Sequence, residues 1–415
     1  MTAGSVSASL TSASGAVDAT TLHPPPVSKL SVEEHKRFLE AVANTNDWST
    51  VDTVDAPYGT AHTWQSWFMS GNGRVFAFRA LQDVNGIDVA VDEVFSYDPS
   101  SQVFTSRGTI YGPTNGNSSA SIHIGWGMPL FASDDGSFIS ICGSDYDTAD
   151  KDGVGVCGVY KYNGDAESPN KYEQQGELFY GNVAGDDLRG VICGDGSAIL
   201  ISYNASNQVK VFYWDGSGWK QRGNTITGRI GAAGWMWSDD GFTVAVKQSV
   251  AGIYRAVIYR FISGAWVQRG PYTVSDQVGV SKSVSHVALS GDGLTFAAGM
   301  KTTVKIFRWN GSDYVEVGAL YGVSGTPRAS FSNNGDVAAV TVQSSSCSVY
   351  VYKYDGTSFG LVSGFPYTGN DVGDKTVGYY NWVTSDGSMV ASGGRLAQDK
   401  VHFFDLIPSD VPSLS

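Results

Sequence analysis

Short runs of apolar or alternating residues recur along the chain, separated by clusters of turn residues. The clearest case begins at Val284. Val284 to Leu289 is a short apolar run, and Ser290-Gly291-Asp292-Gly293 follows it with turn chemistry, because glycine accepts positive φ and aspartate bonds its own backbone. Leu294 to Gly299 is a second β-rich run. Val304 to Trp309 then alternates apolar and polar like a half-buried strand, and Asn310-Gly311 is the dipeptide that best specifies a tight hairpin. Tyr314 to Val317 ends at Gly318. The pattern predicts four antiparallel strands, a to d in chain order.

The unit repeats. The Ser-x-Asp-Gly position recurs at Ser70-Gly73, Ser133-Gly136, Cys193-Gly196, Ser238-Gly241, Ser290-Gly293, Ser332-Gly335 and, with the spacer missing, Ser385-Gly387. The glycines are separated by 63, 60, 45, 52, 42 and 52 residues, room for four short strands and variable loops. The c–d hairpin recurs at Tyr162-Asn163-Gly164, Trp214-Asp215-Gly216 and Tyr354-Asp355-Gly356. Strand d repeats an aromatic four residues before a glycine, as in Trp219/Gly223 and Trp266/Gly270. Radial repetition of four-stranded sheets is the signature of a β-propeller.

The two ends of the chain complete the count. After Ser385 come a strand b (Met389 to Ser392) and a strand c (Val401 to Asp405), with no strand d. Far upstream, Trp48 to Val51 reads as an unattached strand d. An open ring would expose two sheet edges, so the N-terminal strand is expected to complete blade 7. The predicted fold is all-β: a seven-bladed propeller over 48-406, preceded by a Ser/Thr/Ala-rich arm at 1-30 and a short helix at 31-44, and followed by a tail at 407-415. Ser31 and Glu34 make the capping box of that helix.

The pattern S-x-D-G-x-x-hydrophobic-A, followed by G-x-V-x-V-Y-x-W-D-G-x-x-W-x-Q-x-G, resembles the FG-GAP and WD-like propeller repeats of marine bacteria, microalgae and large algal viruses. Val209 to Gly228 is the closest match. The resemblance implies the propeller fold and a surface, adhesive or scaffolding role, and FG-GAP repeats can carry Ca²⁺ in Asp/Asn/Gly loops.

Composition narrows the partners. A formal charge of -13 and a pI near 4.8 argue against phosphate-backbone binding, hence no nucleic acid. No segment has the apolar length of a membrane span, and no secretory signal is recognised, which favours a cytoplasmic or virion-associated protein over a secreted one. Cys142 and Cys157 face each other across a predicted hairpin and are read as two buried thiols rather than a bridge; Cys193 and Cys347 read as inert.

Two places carry candidate chemistry. Asp145, Asp147, Asp150 and Asp152 put four hard oxygen ligands before Gly153, a ligand type suited to Ca²⁺, although the spacing departs from D-x-D-x-D-G and equally describes a solvated acidic hairpin. No other cofactor is expected. Four residues before the turn serine, Arg189, His286, Arg328 and Asn381 should converge on the central funnel, where an anion or an acidic side chain could bind. Trp67, Trp235, Trp237 and Trp382 nearby read as core between blades. Catalytic signatures are missing from the sequence: no G-x-S-x-G, H-E-x-x-H, P-loop or C-x-x-C. The expected function is therefore a non-enzymatic binding or assembly propeller that docks proteins through loop faces and the N-terminal arm. The alternative is an extracellular or virion-surface adhesin that binds glycans.

Overall fold

In the computed structural model the described residues are 50-55, 66-84, 87-98, 100-101, 103-111, 131-146, 153-164, 171-230, 236-271, 283-300, 303-321, 326-343, 348-362, 367-368, 380-393 and 400-405. The arm, the expected helix, the C-terminal tail and Trp48 lie outside them. Among the described residues there is no helix, and so none long and apolar enough to cross a membrane.

Seven antiparallel sheets form a ring, each running a-b-c-d from the axis outward. The apolar runs become the inner strands. Every residue of Ala198–Tyr203 and Thr295–Met300 is buried, because each sheet packs both faces against neighbouring blades. In blade 4 strand a is held by two bridges, Arg229 to Lys247 and Trp237 to Val244.

The ring closes as expected. Thr50–Asp55 pairs antiparallel with Lys400–Asp405, from Thr50 opposite Phe404 to Asp55 opposite Lys400, and so supplies the missing strand d of blade 7. Aromatic packing seals the same junction. Phe403 stacks on Tyr97 of blade 1 at 4.9 Å and meets Phe76 edge-on at 5.6 Å, while Phe68 and Trp382 meet at 5.1 Å. Such pairs add roughly 0.5–1.5 kcal/mol each beyond their burial.

The turn motif has one geometry in all seven blades. The side chain of the first residue bonds that of the third, at 2.7 Å for Ser133 to Asp135 and 2.6 Å for Ser290 to Asp292, and it accepts the backbone N–H five residues on. The fourth residue is a glycine with φ between 67° and 74°. Blade 7 corrects the sequence reading. Thr384, not Ser385, is the turn residue: its hydroxyl bonds Asp386 at 2.7 Å and accepts Met389 N–H at 3.0 Å, so the spacer is present. Cys193 fills the position with a thiol, bonded to Asp195 at 2.9 Å.

The outer-strand motif also has a structural use. Trp219 Nε1 donates to Gln175 O of blade 2, and Trp266 Nε1 to Arg222 O of blade 3, both at 2.8 Å. The aromatic therefore clasps the blade before it. Arg107 lies 3.7 Å over Tyr162 and Arg269 4.0 Å over Trp309, repeating the clasp as cation–π pairs.

The b–c hairpin of blade 1 is long: Val75–Val84 and Ile87–Asp98 stay paired out to Val84 opposite Ile87. One further reading is revised. Cys142 and Cys157, expected as free thiols, are bridged. They are direct register partners on adjacent buried strands, the placement that lets two sulfurs meet.

Removing residues 1–55 should therefore lower stability by several kcal/mol and promote self-association, since it bares the edge of Lys400–Asp405. Removing only 1–27, which keeps the closing strand, should leave the denaturation midpoint nearly unchanged. Equal midpoints for the two truncations in a urea titration would show that the strand does not hold the ring.

Candidate functional site at the axial channel

The chain direction gives the disc two unlike faces. Strand a runs toward the Ser-x-Asp-Gly turn and c toward the Asn-Gly type hairpin, so both tight connections lie on one face, here the hub face. The b–c and d–a connections lie on the other, the mouth face.

At the hub the second residues of the turns converge. Their backbones link blade to blade: Asp134 N to Gly194 O at 2.8 Å, Asp239 N to Gly291 O at 2.7 Å, Asn333 N to Ser385 O at 2.8 Å and Ser385 N to Gly71 O at 2.6 Å. Their side chains enclose a cavity of about 20 Å³ lined by Asp134, Asp239, Asn333 and Ser385, room for roughly one water. Glycine is required at two positions around it. A Cβ at Gly71 would collide with the Asp134 carboxylate and the Ser385 hydroxyl, and one at Gly291 with the Asp239 carboxylate.

Asn333 Nδ2 donates to Asp239, and Ser385 Oγ to Asp134 at 3.1 Å. Burial pushes the pKa of Asp134 up, and pushes that of Asp239 well above the usual carboxylate range with help from the charges of Asp134, Asp292 and Asp240. The hub is thus a hydrogen-bonded seal in which ionised carboxylates are disfavoured. Its donors are hard oxygens, yet among the described residues no three His, Cys, Asp or Glu side chains come together as a metal site.

The mouth receives the expected funnel residues unequally. Arg189 is there, half-buried and paired with Asp187 at 3.2 Å. His286 is a core residue: its Nε2 accepts the Ala329 N–H at 3.1 Å, and burial followed by the charges of Arg328 and Lys247 pushes its pKa down to about 3. It stays neutral and fully engaged. Asn381 lies three residues before the true turn residue Thr384, not four, and its amide is used on Ala339 O at 2.8 Å. Arg328 is half-buried, close enough to His286 to disfavour its protonation.

Two cations the sequence reading missed, Arg229 and Lys247, join Arg189. Lys247 belongs to strand b of blade 4, away from the turn spacing that named the other funnel residues. Its place directly opposite Arg229 was a matter of register that turn spacing alone does not reveal.

The acidic segment is not placed. Asp147, Asp150 and Asp152 lie outside the described residues, as does the side chain of Asp145. Trp67, Trp237 and Trp382 are buried core, as expected, and Trp235 lies outside the described set. No protein-family profile matches the sequence, and comparison with curated proteins finds no match either.

The hub makes a testable demand. Because the folded pKa of Asp239 is raised, its contribution to stability is present at low pH and is lost as pH rises through the folded value. Asp239→Asn should therefore raise the stability by on the order of 1 kcal/mol at pH 8, the scale of a single pKa unit, and the gain should vanish toward pH 4. A variant less stable than the parent at pH 8 would refute the buried-carboxyl account.

Proposed function

We propose that the chain is a non-catalytic propeller of the FG-GAP and WD-like kind, a rigid disc that binds protein partners on its mouth face and works in assembly without turnover. One observation carries this reading: the repeated polar and aromatic residues are consumed in holding the ring. The turn hydroxyls bond their own turn carboxylates and amides, and the outer tryptophans bond the preceding blade. The Cys193 thiol, a nucleophile by type, is held protonated by burial and by the Asp195 charge.

What departs from the repeat lies on the mouth face. By chain direction the extended hairpin of Val75–Val84 and Ile87–Asp98 in blade 1 lies on that face, strand d of blade 1 ends there at Tyr111, and in blade 2 strand b ends there at Tyr146 and strand c starts there at Val154. Blade 4 adds a second long hairpin, paired to Val250 opposite Ile253 and turned by Ala251-Gly252 at positive φ. Variable connections on a rigid scaffold are where binding surfaces are built. The closing strand Thr50–Asp55 lies in blade 7 beside blade 1, and it begins at the hub end, opposite Phe404.

The test is a footprint followed by a swap. A partner isolated from the source cells by affinity capture should crosslink to blades 1, 2 and 7 on the mouth face, not to the Asn-Gly hairpins of the hub face. Replacing Asp145 to Asp152 by a Gly-Ser linker of equal length should weaken that complex at least tenfold while leaving the melting temperature within about a degree. A hub-face footprint, or a complex indifferent to the swap, would overturn the reading.

A further inference from the structure

The mouth of the channel between blades 3, 4 and 5 gathers positive charge in a protein of net charge -13. Arg229 and Lys247 are direct register partners that exchange both backbone bonds, at 2.9 and 2.8 Å, so their side chains leave the sheet side by side on one face. Like charges placed so are destabilising. The next residue, Ile230, donates its N–H to Ser202 Oγ at 3.2 Å, and Ser202 is the register partner of Arg189, which sets the blade 3 guanidinium on the face turned toward blade 4. Lys247 Nζ reaches across to Ser285 O of blade 5 at 3.1 Å.

The cluster is short of anions. Among the described residues Asp187 is the carboxylate paired with Arg189, and the ion pairs of Arg79, Arg260, Lys305 and Arg308 do not involve Arg229 or Lys247. The Nε atoms of Arg189 and Arg229 are buried without a hydrogen-bond partner. Burial and the guanidiniums of Arg189 and Arg229 depress the pKa of Lys247, as expected where cations crowd together uncompensated. Among the described residues, three cations less one carboxylate leave two positive charges.

We propose that Arg189, Arg229 and Lys247 form a binding site for a phosphate dianion. A doubly negative tetrahedral oxyanion matches the uncompensated charge, and its four oxygens can take more of the donors that two guanidiniums and an ammonium offer than the two oxygens of a carboxylate can. Arg328, near His286 on the same face, adds to the potential that draws an anion in. The site is independent of the loop-face reading, since free phosphate can fill it whether or not a protein partner docks.

The test uses the full chain. Calorimetry with inorganic phosphate at pH 7.5, against sodium chloride of matched ionic strength, should give saturable one-to-one binding, and the melting temperature should rise with phosphate but not with chloride. Lys247→Met and Arg229→Gln should each weaken binding at least tenfold, while Arg107→Gln, on the outer strand of blade 1 away from the channel, should leave it unchanged. Absence of binding heat at 10-fold millimolar excess, or affinities untouched by the two mouth variants in folded protein, would overturn the proposal. Should either variant fail to fold, the phosphate-specific rise in the melting temperature of the unaltered chain decides it: its absence refutes the site. A phosphoserine peptide and its serine counterpart then separate the sources. Tighter binding of the phosphopeptide than of inorganic phosphate assigns the site to a phosphorylated partner, and equal or weaker binding assigns it to the free anion.

Discussion

Everything in this molecule depends on the bonded turn between strands a and b. One hydroxyl or thiol, one Asp or Asn and one glycine at positive φ fold the chain back, and the second residue of the turn then offers its backbone to the adjacent blade. Seven such turns space the inner strands around the axis. Once they are set, the side chains at the second position have nowhere to go but the centre, which explains both the crowded carboxyls of Asp134 and Asp239 and the glycines at Gly71 and Gly291 that make room for them. The raised pKa values at the hub are a cost of this geometry, contained by the bonds from Asn333 and Ser385.

Most of the fold was legible because the turn and clasp chemistry is local. Ser-x-Asp-Gly, Asn-Gly and W-x-Q-x-G each name their own hydrogen bonds, and the missing last strand was visible as a gap in a count. Thr384 escaped because a threonine hydroxyl does the work of serine while Ser385 next to it offered the expected letter. That one-residue shift also displaced Asn381 from the funnel position. The Cys142–Cys157 bridge was lost for a different reason: the hairpin placed the two cysteines opposite each other, as the structure does, and it was the lack of any mark of an oxidising compartment that favoured thiols.

The candidate site was read in part. Arg189 was named from spacing, yet His286, named by the same rule, is a buried acceptor, because the backbone N–H of Ala329 reaches its ring. Arg229 and Lys247 were invisible for the opposite reason. Each looks like an ordinary surface cation in its own strand, and only the bridge between them makes a like-charge pair.

That pair also shows how the two faces of the disc differ. Hub connections are fixed by the requirement to bond and close the ring, so a substitution there is felt at once in the inter-blade bonds. Mouth connections carry no such duty: the hairpins of blades 1 and 4 lengthen, and a repulsive pair of cations persists at the rim of the channel without breaking the ladder beneath it. A fold that can carry uncompensated charge on one face only, because its stabilising bonds are concentrated on the other, has separated where it is held together from where it can recognise something.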